Sequence, residues 1–173
     1  MKETFQKKEE KNLPNMQVIR FKGRGRREKR VVCGIAATRG KQFIVDWGDG
    51  SPAQTMTGKG KENYLRIYAD AKPNQVYNIS ITGATSDCLF TTFYCQGCGI
   101  TNLNLSECTT LKELDCSYNE LTALTLNKNT ALKHLDCSYN QLTTLNLSKN
   151  TVLENLDCFG NRFLYYKKEI NKT

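Results

Sequence analysis

The stretch Leu114-Asp115-Cys116-Ser117-Tyr118-Asn119 recurs at a fixed spacing of 21 positions and decides the fold of this protein. It returns as Leu135-Asp136-Cys137-Ser138-Tyr139-Asn140 and as Leu156-Asp157-Cys158-Phe159-Gly160-Asn161, and a weaker copy precedes it at Phe93-Tyr94-Cys95-Gln96-Gly97-Cys98. A fixed period of this length is typical of solenoids, in which each copy forms one coil and buries its apolar face against its neighbours. The four copies therefore predict about four stacked coils.

Within each copy, inward and outward residues alternate over a short segment. Leu135 and Cys137 flank Asp136, so we expect a strand that points leucine and cysteine inward and aspartate outward. Successive strands would pair in parallel at about 4.8 Å. We expect a second short strand at Leu145-Asn146-Leu147 on the opposite side, and little or no helix, because so short a coil leaves no room for one.

Asparagine marks the two turns of each copy. Asn140 and Asn150 each stand three residues after an inward apolar residue. A buried amide at such a turn satisfies backbone groups of adjacent coils. In the first copy, Cys98 and Cys108 occupy these two places.

Eight cysteines in 173 residues first suggest disulfides or a metal site. Four of them share the spacing of the repeat and would form one column, Cys95, Cys116, Cys137 and Cys158. Cys95 and Cys98 also have the C-x-x-C spacing of a redox or zinc half-site. Because the repeat register already explains both residues, we expect buried thiols, no metal and no cofactor.

Residues 12–86 carry a different pattern, in which apolar residues alternate over short runs separated by glycine, proline and asparagine. The runs lie at 17–21, 31–35, 43–47, 65–67 and 77–81. Several short strands of this kind predict a β-sandwich. In the turn after the third run, we expect Gly48 and Gly50 to adopt positive φ and Asp46 and Asp49 to bond turn amides. The glycines stand where a calcium loop would need oxygen ligands, which argues against calcium.

The net charge of +8 is unevenly distributed. Residues 1–30 hold 11 basic and 4 acidic residues, and include the run 22–30, Lys-Gly-Arg-Gly-Arg-Arg-Glu-Lys-Arg. Such a run could touch nucleic acid or another acidic surface. It has no interleaved aromatic residue for base stacking, apart from Phe21 at its edge. The composition favours a solvated loop over a nucleic-acid contact.

The copies match the leucine-rich-repeat pattern L-x-x-L-x-L/C-x-x-N-x-L, and 43–52 resembles the W-x-F-G-D-G-type turn of PKD-like domains. Together, residues 12–163 resemble secreted or surface proteins of gut bacteria in which a PKD-like, immunoglobulin-like sandwich runs into leucine-rich repeats. The resemblance implies an extracytoplasmic location and a role in adhesion or protein recognition. It divides the chain into a polar tail (1–11), a PKD-like sandwich (12–86) that caps the first turn, a short leucine-rich-repeat solenoid (87–166) and a second polar tail (167–173).

Catalytic chemistry has little support in the sequence. His134 is the single histidine, which leaves few routes to an activated nucleophile and excludes a multi-histidine metal site. Three aspartates form a column at strand spacing, Asp115, Asp136 and Asp157. An open strand face lacks the enclosed cleft of a glycosidase. Because this column faces outward, we also expect it to have no role in folding, and we expect no enzyme.

The outward positions of the strands form the predicted binding face. Its residues are Tyr94, Gln96, Glu113, Asp115, Ser117, His134, Asp136, Ser138, Asn155, Asp157 and Phe159, with Thr92 beside them. We expect a protein partner first. A glycan stacked on Tyr94 and Phe159 is the second hypothesis, and a structural spacer in a larger surface assembly is the third.

Targeting signals are weak. No run of 18 apolar residues is present, so we expect no transmembrane segment. The segment 1–8 has no apolar core, so we expect no signal peptide in this chain; the extracytoplasmic location would require one that has been removed.

Overall fold

The computed structural model describes residues 16–24, 31–60, 65–69 and 75–163, which form strands and turns and contain no helix. The strands are β1 (Val18–Arg24), β2 (Val31–Ala37), β3 (Gln42–Asp46), β4 (Gln54–Thr57), β5 (Leu65–Ala69), β6 (Val76–Gly83), β7 (Phe90–Tyr94), β8 (Ile100–Asn104), β9 (Glu113–Asp115), β10 (His134–Asp136) and β11 (Asn155–Asp157). The prediction of a mostly β protein is confirmed. Within the same ranges, no helix is present that could cross a membrane. The two predicted tails and residues 25–30 of the basic run lie outside the described residues.

Two open sheets each combine N-terminal strands with strands of the repeats. One sheet has the order β4-β3-β6-β1-β8 and the other β5-β2-β7-β9-β10-β11. In the second sheet, β7, β9, β10 and β11 pair in parallel, so that each residue lies beside its equivalent in the next copy. The N-terminal strands pair with the first coil on both sides, β1 with β8 and β2 with β7. The predicted boundary between residues 86 and 87 and the immunoglobulin-like class stay predictions.

One hydrophobic core joins the two sheets. The rings of Phe21 on β1 and Phe93 on β7 have centroids 5.8 Å apart, and Phe43 on β3 meets Phe90 edge-on at 5.9 Å. Such tilted and edge-on ring pairs add to the stabilisation that burial already provides. The same core continues into the coils through their inward leucines and cysteines.

The turn after β3 has the predicted geometry. Gly48 and Gly50 have φ of 65° and 87°. Asp46 Oδ1 accepts a hydrogen bond from Gly48 N at 2.9 Å, and Asp49 Oδ1 accepts from both N and Oγ of Ser51. The folding of this turn is therefore enough to explain why it contains these glycines and aspartates.

The prediction of a second strand in each coil is wrong for the later copies. Residues 145–147 have no regular strand structure, and among the described coils the first copy alone forms a strand here, β8. The difference has a physical cause: β8 lies beside β1, which offers an antiparallel hydrogen-bonding edge. Later coils have no such neighbour among the described strands, and their second turns are held by side-chain amides.

Candidate functional site

An asparagine ladder fixes the coils in register. Asn140 Nδ2 donates to Cys116 O of the preceding coil at 2.9 Å and to Cys137 O of its own coil at 3.2 Å, while its Oδ1 accepts from Leu121 N at 3.0 Å. Equivalent bonds are made by Asn119 and Asn161, and Asn129 and Asn150 bridge coils at the second turn. The predicted role of the buried asparagines is confirmed. Because the ladder sets the register, each outward position becomes a straight column of side chains.

The eight cysteines are buried thiols, and the repeat register predicts this for the six that lie in the copies, Cys95, Cys98, Cys108, Cys116, Cys137 and Cys158. Burial raises the pKa of Cys108 and of Cys137 to about 12. The Cys33 thiol is hydrogen-bonded with Cys98, and this contact, with burial, raises the pKa of Cys33 well above its ordinary range. A buried protonated thiol is a poor nucleophile and a poor metal ligand. Among residues 16–24, 31–60, 65–69 and 75–163, no cluster of histidine, cysteine or acidic residues is arranged to hold a metal ion.

The strand face is an open depression of about 510 Å³. Its lining residues are Tyr94, Glu113, Leu114, Asp115, His134, Leu135, Asp136, Asn155, Leu156 and Asp157. Seven of these ten are residues of the predicted binding face, and they come from four parallel strands. The structure therefore brings most of the predicted residues to one surface.

Three residues expected on this surface are buried. Ser117 and Ser138 are 0% and 3% exposed, and Thr92 is 3% exposed. The strands β9 and β10 end at the aspartate, so the alternation stops before the serine, whose Oγ folds back onto the carboxylate at 2.6 Å. Thr92 lies in β7, which has a neighbouring strand on each side. The prediction that these side chains are available for contact is wrong.

The aspartate column has a role in folding, contrary to the expectation from sequence. Asp136 Oδ1 accepts from Ser138 N at 2.9 Å and from Ser138 Oγ at 2.6 Å, and Asp115 makes the same pair of bonds with Ser117. Asp157 Oδ1 accepts from Phe159 N at 3.0 Å. Each carboxylate thus closes the turn that ends its strand, as Asx turns do. All of these bonds use Oδ1, and Oδ2 of each aspartate has no hydrogen bond in the described part of the chain.

Neighbouring coils are also linked across the face. Tyr94 Oη donates to Glu113 Oε2 at 2.5 Å, and Asn155 Nδ2 lies 2.8 Å from Nδ1 of His134. The side chain of His134 is 44% exposed, and its Nε2 lies 3.9 Å from Glu154 Oε2. These contacts hold the polar side chains of the depression in defined positions.

An exposed aromatic column, Tyr118, Tyr139 and Phe159, lies beside the depression, and of the three only Phe159 belongs to the predicted binding face. Tyr118 and Tyr139 stack with ring centroids 4.4 Å apart, and Phe159 meets Tyr139 edge-on at 5.8 Å. The three side chains are 50%, 45% and 71% exposed. The sequence feature that predicts this column is the tyrosine that directly precedes the turn asparagine in two successive copies. Gln96, also predicted for contact, is exposed at the matching end of the first coil.

No protein-family model and no curated protein matches this chain. A solved structure that resembles part of it is the functional domain of InlJ from Listeria monocytogenes, which includes a cysteine ladder. The match has 26% sequence identity and a TM-score of 0.39 and covers 53% of this chain and 24% of that one. At this TM-score the likeness does not establish a shared fold.

Proposed function

We propose that this protein is a non-enzymatic recognition protein that binds a protein partner through the strand face of its coils. The observation that carries the proposal is the open depression of about 510 Å³, lined by columns of polar side chains from four parallel strands. The asparagine ladder and the cross-coil hydrogen bonds hold these side chains in place before any partner arrives. A preformed surface binds at a lower cost in conformational entropy than a flexible one.

The proposal includes the finer description of the fold. We take residues 87–166 as leucine-rich-repeat turns and 12–86 as a PKD-like, immunoglobulin-like sandwich that caps the first turn. Three observations support this: the parallel register at the repeat spacing, the asparagine ladder, and the pairing of β1 with β8 and of β2 with β7. The capping strands cover the end of the coil stack that would otherwise leave backbone groups unpaired.

An extracytoplasmic location, secreted or at the cell surface, and a role in adhesion belong to the same proposal. They rest on the resemblance of the repeats to surface proteins of gut bacteria. Fractionation of the native cells, followed by detection with an antibody against the coils, tests the location. Signal confined to the cytoplasmic fraction would contradict it.

The absence of enzymatic activity is part of the proposal as well. The aspartates stand in a column on an open face, and one oxygen of each is engaged in a turn. Hydrolysis by paired carboxylates requires a cleft that encloses the scissile bond between them. Carbohydrate binding without hydrolysis is the second candidate, because the exposed Tyr118, Tyr139 and Phe159 offer ring surfaces beside polar groups.

Selection from a random peptide library on the immobilised protein tests the leading proposal, with a glycan array run in parallel. The test variant is Asp115→Asn, Asp136→Asn and Asp157→Asn together, which retains the Oδ1 acceptors and removes the charge. The matched control is Lys128→Gln with Lys149→Gln, which changes exposed charges at the second turn. We expect selected peptides to bind the wild type and the control alike and the test variant at least about tenfold more weakly. Equal binding to all three proteins would contradict the proposal, and binding to a defined sugar instead would favour the carbohydrate hypothesis.

A further inference from the structure

The aromatic column is open at one end. Ring carbons of Tyr139 lie 2.8–3.2 Å from where a Cβ on Gly160 would be, so the rings lean toward the later coils. Tyr139 is covered by Tyr118 on one face and meets Phe159 at its edge. The other face of Tyr118 points toward the first coil, where the matching residue is Gly97, and a Cβ there would meet nothing within 4 Å. The first copy therefore contributes no side chain of its own to the stack at this position.

The aspartate column runs beside this stack. Asp136 lies three residues before Tyr139 in the sequence, and the turn bonds of Asp136 use its Oδ1 and leave Oδ2. Partial desolvation and the adjacent Tyr139 raise the pKa of Tyr118, and the carboxylates of Asp136 and Asp157 act in the same direction. Aromatic surface and negative charge thus meet along one edge of the strand face.

The charge of this face is opposite to that of the whole protein. The chain carries +8, whereas the lining of the depression contains four carboxylates, from Glu113 and the aspartate column, and one histidine. We propose that the aromatic and aspartate columns bind a basic, arginine-bearing segment of a protein partner, with one guanidinium stacked on the open face of Tyr118. The inference rests on the proposed function and specifies the chemistry of the partner.

Arginine fits this site better than lysine does. A guanidinium is planar and weakly hydrated, so it stacks on an aromatic face and still donates to a carboxylate at its edge. The ammonium of lysine is a compact, strongly hydrated charge that gains little from a flat ring. A neutral sugar would use the ring and leave the column of carboxylates without a counter-charge.

Titration with three short peptides tests the inference directly. Acetylated Gly-Arg, Gly-Lys and Gly-Glu hexapeptides, each with three charged residues, are followed by fluorescence anisotropy at low and high salt. We expect the arginine peptide to bind most tightly and to weaken with salt, and the glutamate peptide not to bind. Tyr118→Gly should weaken binding of the arginine peptide about two- to fivefold, the range of an exposed cation–π contact. It should weaken binding of the lysine peptide less. This substitution places at position 118 the residue that the chain itself has at 97 and 160, so the coil is retained.

Tyr118→Phe keeps the ring and should keep the arginine preference. Equal affinities of the arginine and lysine peptides, or no effect of Tyr118→Gly in a folded variant, would overturn the inference. Library-selected peptides that depend on the strand face but are not rich in arginine would overturn it as well, while the proposed function would stand. A library that yields no face-dependent peptide would contradict both.

Discussion

The ring of Tyr118 lies parallel to the ring of Tyr139, with centroids 4.4 Å apart and an interplanar angle of 14°. Both residues adopt the left-handed conformation, with φ of 55° and 51°. This conformation costs a residue with a Cβ roughly 1–2 kcal/mol. Glycine occupies the same position in the first and last copies, Gly97 and Gly160. The two central copies therefore retain a strained residue that contributes an exposed stacked ring.

This strain leads to a prediction for Tyr118. Tyr118→Ala removes the ring and keeps the Cβ at positive φ, whereas Tyr118→Gly removes both. We expect the glycine variant to be more stable than the alanine variant by about 1 kcal/mol in urea unfolding. The matched control is exposed Thr143, which has no positive φ, and where glycine should be the less stable of the two variants. The same order at both positions would contradict the strain argument.

The second prediction concerns the turn bonds of the aspartate column. Asp136→Ala removes the acceptor for Ser138 N and Oγ, and we expect a loss of about 1–2 kcal/mol in the free energy of unfolding. Asp136→Asn retains Oδ1 and should lose less than about half of that. Urea unfolding of both variants distinguishes a folding role from a surface charge. If the alanine variant is as stable as the asparagine variant, the turn bonds contribute nothing.

The third prediction concerns the asparagine ladder. Asn140→Ala leaves backbone groups of two coils without partners inside the core, and we expect a loss of at least about 3 kcal/mol. Asn161 makes equivalent bonds at 2.9–3.0 Å but is only partly buried at the last coil. Since water can replace some of its bonds, Asn161→Ala should cost clearly less. Equal losses at the two positions, measured by denaturant unfolding, would show that burial does not set the cost.

The fourth prediction concerns alkaline pH. Burial raises the pKa of Cys137 from 9.0 to about 12. The folded state therefore keeps a proton that the unfolded state loses, so this stabilisation is complete below pH 9 and is lost as the pH rises toward 12. Each such thiol contributes a slope of about 1.4 kcal/mol per pH unit in that window. Unfolding measured from pH 8 to 11 should show a steep fall for the wild type and a shallower one for Cys137→Ala. Parallel curves for the two proteins would contradict a raised pKa at Cys137.

Several features of the fold were accessible from the repeat alone. The constant spacing of the copies fixes which residues share a column, because a parallel ladder in register brings equivalent positions together. The buried asparagines follow from the need to satisfy backbone groups at turns that stack on one another. The burial of the thiols of Cys95, Cys116, Cys137 and Cys158 follows from the same spacing, since equivalent inward positions stack on one another inside the copies.

Other features depended on tertiary contacts that no local pattern contains. A strand at the second turn forms only where β1 lies beside it, and β4 pairs at a sheet edge without an alternating apolar pattern. The burial of Ser117 and Ser138 depends on where the strand ends, which is set by the hydrogen bond to the aspartate rather than by alternation. The stacking of Tyr118 on Tyr139 depends both on the spacing between coils and on the positive φ of the two residues.

The sequence by itself determined that equivalent residues of the 21-residue copies lie side by side, because the repeated apolar positions can be buried together in only that register. The tertiary structure decided which outward residues form a usable surface. The aspartate column, predicted only to face outward for contact, also closes turns, and Tyr118 and Tyr139, for which no role was predicted, form an exposed stack. The reason is that a residue's place in the repeat pattern decides whether it is buried in the core. A surface site depends instead on distances between residues of different coils.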